Sequence, residues 1–237
     1  MADDFPARVP GGGPPAPGHP PGAGTRRAWI LGTAVALWVA GGGYGIYALH
    51  RYETTPGVAG ASPPSWPQGS RLSPDARRAS LLMLVHPQCS CTQASLAELA
   101  SVMRAAGGRL SARVLFVRPR GMPVDWEHSD TWREAQRIAG VTAVTDVDGA
   151  EARRFGAWTS GQVVVYDRWG HLLYSGGITD SRGHQGDNMG RRQLLAALDH
   201  QPVVSGTAAV YGCPIFDADG PRGATTATPS PAQGPTP

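Results

Sequence analysis

The hydrophobic pattern is clearest in the middle of the chain, where strand-like and helix-like runs alternate. Residues 80–85 form a short, unbroken apolar run, which is typical of a buried strand. Residues 92–106 then repeat apolar positions every three to four residues, and this period predicts an amphipathic helix that ends at Gly107. A second apolar run at 112–117 predicts another strand. Because a helix connects these two strands, we expect them to lie side by side and parallel.

Shorter elements follow in the second half of the chain. Ser129 or Asp130 precedes the next helical stretch as a capping residue. The turn at 168–170 contains glycine where a tight hairpin favours a positive φ. The elements follow one another as βαβ, a helical segment and ββα. The second half is predicted to contain, in order, a helix at 131–139, an edge strand at 141–145, a short helix at 148–155, strands at 162–167 and 171–175, and a helix at 188–200.

Residues 28–49 form an uncharged apolar run near the N-terminus. These 22 residues, at about 1.5 Å per residue, span roughly 30 Å, the thickness of a bilayer core. The run predicts a single transmembrane helix within an anchor region at 25–51. Arg26 and Arg27 on its N-terminal flank favour an internal N-terminus, so the following domain is expected in the periplasm or another extracytoplasmic space. A cleaved signal peptide is the alternative, but the run is long for one and no suitable cleavage site follows it.

Composition sets the limits of the foldable region. The chain has 237 residues, and its 32 glycines and 22 prolines are concentrated towards the ends. Such segments bury too little apolar surface to offset the entropy of ordering, so we expect them to be disordered or extended. The predicted organisation is a disordered N-terminus at 1–24, the anchor at 25–51, a proline-rich linker at 52–74 that holds the domain off the membrane, one domain at 75–217 and a disordered tail at 218–237.

The basic residues of this chain are all arginines. The 21 basic residues include no lysine, which excludes P-loop and Schiff-base chemistry because both require the lysine amine. The net charge is only +3, and the arginines are scattered among acidic residues. This pattern argues against a nucleic-acid-binding surface.

Two of the three cysteines, Cys89 and Cys91, stand where the first strand leads into the first helix. The free N–H groups and the positive end of the helix dipole favour a thiolate there, which makes such a cysteine a better nucleophile and metal ligand. Pro87 and Gln88 break the strand just before them and are expected to open the site to solvent. A disulfide between these two cysteines closes a small, strained ring and is easily reduced. A pair of buried structural thiols is the alternative interpretation.

The position of these cysteines resembles that in the thioredoxin-like superfamily, and the resemblance covers residues 78–200. It implies an α/β thioredoxin-like fold with a mixed central sheet and helices on both faces. Its anchored TlpA-, ResA- and RedB-type members imply a thiol–disulfide oxidoreductase, in which Cys89 attacks a substrate disulfide and Cys91 resolves the mixed disulfide. The sequence departs from the superfamily in two ways. One residue rather than two separates the cysteines, and Gly161 or Ser160 stands where the superfamily carries a cis-proline.

Strand direction indicates which loops share the cysteine end of the sheet. The two parallel strands end on the same side, so the loop at 118–129 is expected to lie over the cysteines. The family resemblance makes the strand at 162–167 antiparallel to them, and the loop at 176–187 then returns to the same side. The candidate supporting residues are His86, Pro87, Trp126, His128, Gly161, Arg182, His184 and Asp187.

Two thiolates and an imidazole also suit a soft metal ion such as Cu(I). Membrane-anchored copper chaperones of the SCO type use two cysteines and a loop histidine. Partial resemblance to them implies a ligand set of Cys89, Cys91 and His184, with His86 as a further candidate. Thiol–disulfide exchange itself requires no cofactor, so Cu(I) belongs to this alternative alone.

Cys213 lies far along the chain in a short apolar patch at 210–216. Three roles are open for it: a resolving thiol for Cys89 or Cys91, a third metal ligand, or a small buried apolar side chain. The sequence as a whole supports three hypotheses. They are an oxidoreductase acting on protein thiols or disulfides outside the cytoplasm, a copper chaperone, and a catalytically silent thioredoxin-like module.

Overall fold

The computed structural model describes residues 23–58, 60–201 and 208–216 of the chain. The two segments that the composition predicts to be disordered, 1–24 and 218–237, lie outside the described residues, apart from the last two positions of the first.

Helix α1, Ala23–Thr54, contains the apolar run that was predicted to span a membrane. Its 32 residues exceed the roughly 20 that a bilayer core requires. Within the part of the chain that is described, it is the one helix whose length and composition suit a membrane span, and the same two properties suit a signal sequence. The chain divides within this helix into two compact units, one ending at Ala48 and the other beginning at Leu49.

The second unit is built on a central sheet. Its strands are β1 Ala79–Val85, β2 Leu110–Arg118, β3 Val141–Val147, β4 Gln162–Tyr166 and β5 Leu172–Gly176. They form one mixed sheet in the order β3-β2-β1-β4-β5, in which β1, β2 and β3 are parallel while β4 and β5 each run antiparallel to their preceding neighbour. The C-terminal ends of β1 and β2 and the N-terminal end of β4 therefore share one edge of the sheet.

Helices cover both faces of this sheet, which confirms the layered α/β arrangement. Helices α2, α3 and α5 pack on one face, and α4 packs on the other. Helix α2 has the bounds that its periodicity predicts, and Gly107 ends it in the left-handed conformation with φ +56°. The four helices are α2 Thr92–Ala106, α3 Asp130–Arg137, α4 Ala150–Arg154 and α5 Met189–Leu198.

Strand β1 is buried on both faces, which explains its unbroken apolar run. Leu81, Met83 and Val85 belong to the apolar cluster beneath α2, α3 and α5. Leu82 and Leu84 alternate with them and belong to the cluster beneath α4. Because β1 lies in the middle of the sheet, its C-terminal end is fixed by neighbours on both sides. The start of the turn that follows β1 is fixed with it.

Residues 60–72 pack against the domain, whereas the sequence predicted an extended linker over 52–74. Trp66 lies against the rings of Phe155 and Tyr166, at centroid distances of 5.0 and 5.3 Å. Composition predicted extension because prolines and glycines dominate the stretch. One large aromatic side chain in this stretch, Trp66, nevertheless packs on the apolar surface of the α4 face.

Polar groups of the domain hold the same stretch. The Tyr166 hydroxyl donates a hydrogen bond to the carbonyl of Pro63 at 2.9 Å. The buried Glu151 carboxylate accepts hydrogen bonds from the Ser70 hydroxyl at 2.5 Å and from the Arg71 N–H at 3.2 Å. An extended, proline-rich segment leaves its backbone groups free for such partners, so this part of the linker belongs to the domain.

Candidate active site

The turn between β1 and α2 places two cysteines at the N-terminus of α2. The Cys89 N–H donates to the carbonyl of His86 at 3.1 Å, and the Thr92 N–H donates to the carbonyl of Cys89 at 3.0 Å, so the chain turns tightly into the helix. Cys91 is the N-cap residue and has helical backbone angles. The two cysteines are only 3% and 6% exposed, although Ser90 between them is exposed. The site is therefore covered more closely than the strand-breaking residues before it suggested.

Cys213 is the third member of this site. Its Sγ lies 3.0 Å from Cys89 Sγ, and the two sulfurs are hydrogen-bonded across a sequence separation of 124 residues. All three cysteines are free thiols. Cys213 is thus part of the site and not an isolated apolar side chain; we call Cys89, Cys91 and Cys213 the thiol cluster.

The C-terminal segment, residues 208–216, brings Cys213 to the cluster by pairing with the chain just before β4. The Ser160 N–H donates to the carbonyl of Cys213 at 2.8 Å, and the Ile215 N–H donates to the carbonyl of Trp158 at 2.9 Å. The two segments are antiparallel at this bridge. The pairing fixes the backbone at the Cys213 carbonyl and just after it.

Gly212 allows the C-terminal segment to approach this closely. A Cβ atom at this position would lie 1.9 Å from the carbonyl oxygen of Ser160, where no side chain fits. Further along, the Gly57 N–H donates to the carbonyl of Val210 at 2.8 Å. The segment is therefore held at several points.

Ser160 connects the cluster to the turn after β1. Its hydroxyl accepts a hydrogen bond from the His86 N–H at 2.9 Å and lies 3.4 Å from the Thr92 hydroxyl. The same hydroxyl is hydrogen-bonded to the sulfur of Cys89. One small polar side chain thus bridges the turn, the start of α2 and the reactive sulfur.

The environment of Cys89 favours its thiolate. Burial alone would raise the pKa of this thiol. Hydrogen bonds from the Cys213 thiol and backbone N–H, the Cys91 N–H and the Ser160 hydroxyl outweigh that effect, so the pKa of Cys89 lies below its ordinary value. Convergent donors of this kind are what a nucleophilic cysteine requires.

The other two thiols are held in the protonated form. Burial, together with the charge and hydrogen bonding of the Cys89 thiolate, raises the pKa of Cys91. The same effects raise the pKa of Cys213 to about 12. Within the cluster, Cys89 is therefore the thiol that ionises first, with two less acidic thiols beside it.

Arg182 is the cation of the site. Its guanidinium donates to the carbonyl of Gly212 in the C-terminal segment, and also to the carbonyls of Tyr52 at 3.0 Å and Thr55 at 3.3 Å. Its charge lowers the pKa of both Cys91 and Cys213, opposing the larger effects that raise them. Arg182, which was predicted as a supporting residue, thus links the C-terminal segment to the thiol cluster.

Several predicted supporting residues line the turn beside the cluster. His86 faces the ring of Trp126, with 6.0 Å between the ring centroids, so the loop at 118–129 does reach the cysteine turn. The Pro87 carbonyl accepts a hydrogen bond from the Thr131 hydroxyl at 3.3 Å, which ties the turn to α3.

His128, on the same loop, lies against other partners. Its Nδ1 is 3.2 Å from a carboxylate oxygen of Asp125, and its ring packs on Trp132 at a centroid distance of 4.3 Å. The loop thus contributes Trp126 to the turn and uses His128 to fix its own end.

Comparison with known proteins bears on the fold. No protein-family model and no curated protein matches the sequence. A solved structure of a hypothetical protein from Sinorhizobium meliloti 1021 is similar, with a TM-score of 0.52, 18% identity, and coverage of 65% of this chain and 94% of that one.

Two further solved structures are similar at lower scores. The exposed lipoprotein thioredoxin Etrx1 from Streptococcus pneumoniae has a TM-score of 0.39 and 16% identity, covering 53% of this chain and 86% of its own. StoA from Bacillus subtilis has a TM-score of 0.37 and 13% identity, covering 60% of this chain and 98% of its own. At such identities the likeness concerns the fold and not the reaction.

The strand order β3-β2-β1-β4-β5, the antiparallel β4–β5 hairpin and the cysteines between β1 and α2 together decide the fold class. The domain has a thioredoxin-like fold. In this thioredoxin-like domain Gly161 precedes β4, has φ +90°, and donates its N–H to the carbonyl of Leu84 at 2.8 Å. A Cβ there would meet the Ser95 hydroxyl at 2.9 Å, so both the conformation and the packing suit glycine.

His184 and Asp187 are not assembled with the cysteines as the sequence predicted. The His184 side chain is exposed, and its backbone N–H donates to the carbonyl of Ser181. Asp187 forms ion pairs with Arg191 and Arg192 at the start of α5.

A buried carboxylate on α2 fixes the end of this loop. Glu98 accepts hydrogen bonds from the Gly186 N–H at 2.7 Å, the Asn188 side chain at 3.1 Å and Arg191 at 2.6 Å. Glu98 follows Cys91 by about two helical turns, roughly 10 Å along the axis. The loop is therefore attached to α2 at Gly186, beyond the helix N-terminus that holds the thiols.

The copper-binding alternative of Cys89, Cys91 and His184 stays a prediction. Among the described residues, no group of three or more histidine, cysteine or acidic side chains is arranged to hold a metal ion. A Cu(I) site of this kind would require the histidine beside the sulfurs, whereas the His184 side chain is exposed and Cys89 and Cys91 are buried.

Sequence reasoning missed two residues of the site. Ser160 was noted only for its place in register, yet its hydroxyl binds the reactive sulfur. Gly212 carried no signal of its own, although it lies next to Cys213 in an apolar patch that interrupts a glycine- and proline-rich C-terminal region. That patch was the available indication that the segment docks on the domain.

Proposed function

We propose that this protein is a membrane-anchored thiol–disulfide oxidoreductase whose thioredoxin-like domain lies outside the cytoplasm. The observation that carries the proposal is the thiol cluster. Cys89 is stabilised as a thiolate by convergent donors, and a second thiol sulfur lies 3.0 Å from it. A thiolate with a neighbouring thiol is the minimum equipment for exchanging electrons with a disulfide.

In the reaction, the Cys89 thiolate attacks one sulfur of a substrate disulfide. The substrate S–S bond breaks, a mixed disulfide forms on Cys89, and the released substrate thiolate takes up a proton. A second thiol of the cluster then loses its proton and attacks the sulfur of Cys89, which releases the other substrate thiolate. The substrate gains two electrons and two protons, and the protein becomes a disulfide.

The substrates of this reaction are protein thiols or disulfides in the extracytoplasmic space. Helix α1 supports this placement because it is long and apolar enough to cross a bilayer. In oxidising compartments disulfides form and persist, so substrates for a thiol pair of this kind occur there. Exchange between sulfurs needs no resident cofactor.

The test uses the full chain in detergent in an insulin-reduction assay with a chemical reductant. We expect Cys89→Ser to abolish the activity, down to the rate of the reductant alone, because Cys89 is the one thiol of the cluster whose pKa lies below its ordinary value. Ser101→Ala, in the C-terminal half of α2, is the matched small-residue control and should retain the rate. Full activity in Cys89→Ser would contradict the proposal, and a rate of the unaltered chain no higher than that of the reductant alone would favour a silent thioredoxin-like module.

A further inference from the structure

The position of Cys213 assigns it a role beyond that of a neighbour. Resting on the proposed function, we propose that Cys213 is the disulfide partner of Cys89, so that the oxidised protein holds a Cys89–Cys213 bond while Cys91 remains a thiol. The sequence pattern alone favours a Cys89–Cys91 bond, so the structure changes the expected product of the reaction.

The distance between the two sulfurs favours this bond. They are 3.0 Å apart, about 1 Å more than the S–S bond of roughly 2.05 Å. The sulfurs of Cys89 and Cys213 are hydrogen-bonded to each other, so the two side chains already face one another. A small side-chain movement is therefore enough to join them.

The competing bond would join Cys89 to Cys91. Cys91 also lies within hydrogen-bonding reach of Cys89. However, Cys91 is the N-cap of α2, and the carbonyls of Cys89 and Cys91 accept the N–H groups of Thr92 at 3.0 Å and Ser95 at 3.3 Å. A bond between cysteines separated by one residue closes a small ring, which must distort this hydrogen-bonded turn. The Cys89–Cys213 bond joins two separate segments and leaves the turn intact.

The C-terminal segment holds Cys213 in place without a covalent bond. The Ser160 N–H donates to the Cys213 carbonyl and the Ile215 N–H donates to the Trp158 carbonyl, while Gly212 fits where no Cβ can. Arg182 binds the carbonyl of Gly212. The thiol is thus already positioned when Cys89 reacts, and little entropy remains to be lost at that step.

The chemistry of the step follows from charge. Burial raises the pKa of Cys213 most, and the charge of Cys89 raises it further; once Cys89 has formed a mixed disulfide, that second contribution is gone. Cys213 then loses its proton to the released substrate thiolate, and its thiolate attacks Cys89 Sγ. The new Cys89–Cys213 bond forms as the bond from Cys89 to the substrate breaks, and the second substrate thiolate leaves. Arg182 stabilises the Cys213 thiolate during this step.

The experiment is a peptide map of the full chain after oxidation with glutathione disulfide. Cleavage at arginine places Cys89 and Cys91 together in the peptide 79–104 and Cys213 in the peptide 193–222. After acid quenching and alkylation without reduction, we expect these two peptides to be cross-linked, with Cys91 alkylated. An internal disulfide in 79–104 together with alkylated Cys213 would overturn the proposal.

Two matched variants sharpen the result. Cys91→Ser should keep the cross-link, whereas Cys213→Ser should accumulate glutathione on Cys89 to a level at least about tenfold higher than Cys91→Ser does, because the resolving thiol is missing. Equal accumulation in the two variants would show that Cys213 does not resolve. Gly212→Ala should also weaken cross-linking, because the added Cβ displaces the segment, while Ala209→Ser on the same segment should not.

The outcomes separate this inference from the proposed function. If glutathione disulfide modifies Cys89 and the chain reduces insulin, but the oxidised product is Cys89–Cys91, the oxidoreductase stands and the role of Cys213 fails. If Cys89 neither reacts with glutathione disulfide nor supports insulin reduction, both fail together.

Discussion

At the scale of single residues, reactivity depends on which hydrogen bonds reach the sulfur of Cys89. The N-terminus of α2 supplies the Cys91 N–H, the C-terminal segment supplies Cys213, and the turn before β4 supplies Ser160. Each donor comes from a different element. The thiolate is therefore a product of the assembled fold and not of the turn alone.

Ser160→Ala tests this account of the thiolate. Loss of the hydroxyl should raise the pKa of Cys89 and slow its alkylation at neutral pH roughly three- to tenfold, since a hydrogen bond to a charged group is worth about 1 kcal/mol or somewhat more. Alkylation follows the thiolate fraction, so its rise with pH should move to higher pH in the variant. The measurement is the rate of iodoacetamide labelling of Cys89 against pH. Ser101→Ala is the control, and an unchanged profile in Ser160→Ala would refute the assignment.

Arg182→Gln tests the cation of the site. The carbonyls of Tyr52, Thr55 and Gly212 lose their charged donor, so the free energy of unfolding should fall by about 1–3 kcal/mol. The pKa of Cys213 should rise further, because Arg182 now lowers it. Denaturant unfolding and pH-dependent labelling of Cys213 measure the two effects.

The control for that variant is Arg192→Gln on α5. Arg192 pairs at the surface with Asp187, and such a pair contributes little, so stability should change by less than about 1 kcal/mol. If Arg182→Gln and Arg192→Gln changed the free energy of unfolding equally, the link between Arg182 and the C-terminal segment would not contribute to stability.

At the scale of elements, the domain depends on two segments that carry no regular secondary structure. Residues 60–72 cover the α4 face, and the C-terminal segment, residues 208–216, covers the thiol cluster. Both are attached through backbone hydrogen bonds and one or two side chains. Their contribution is local, so single substitutions can measure it.

Trp66→Ala measures the first of these attachments. The indole packs on Phe155 and Tyr166, and its Nε1 donates to the carbonyl of Leu72 at 3.1 Å. Because the side chain is half-buried, its loss should lower the free energy of unfolding by about 2–3 kcal/mol, somewhat less than for a fully buried tryptophan. Thermal or denaturant unfolding provides the measurement.

The matched control is Trp169→Ala in the β4–β5 turn. Trp169 is 66% exposed, so its removal should change stability by less than about 1 kcal/mol. A loss of stability in Trp66→Ala no larger than in Trp169→Ala would mean that residues 60–72 behave as the free linker that composition suggested.

At the scale of the whole molecule, the proposed function requires that α1 keep the chain in a membrane. We expect the full chain expressed in a bacterium to remain with the membrane fraction after an alkaline carbonate wash. Leu37→Arg in the apolar run should reduce that fraction, because an arginine at the centre of a span costs about 3 kcal/mol. Met122→Arg in the domain is the control. A soluble product whose N-terminus begins after residue 49 would instead identify α1 as a cleaved signal sequence.

The order of helices and strands could be predicted from the sequence, because the signals are local. The unbroken run of β1, the period of α2 and the capping residue of α3 each depend on side chains within a few positions of one another. The position of Cys89 and Cys91 at the start of α2 follows from the same local signals. So does the apolar length of α1.

The composition of the active site was decided by the tertiary structure. Cys213 lies beside Cys89 although 124 residues separate them in the sequence. Backbone hydrogen bonds bring the two segments together, and such bonds leave no periodic pattern in the sequence. Glu98 likewise binds the Gly186 N–H, although 88 residues separate the two in sequence. Local patterns determine which elements form. Which side chains finally meet depends on long-range pairing of segments such as residues 208–216, and such pairing leaves no local pattern in the sequence.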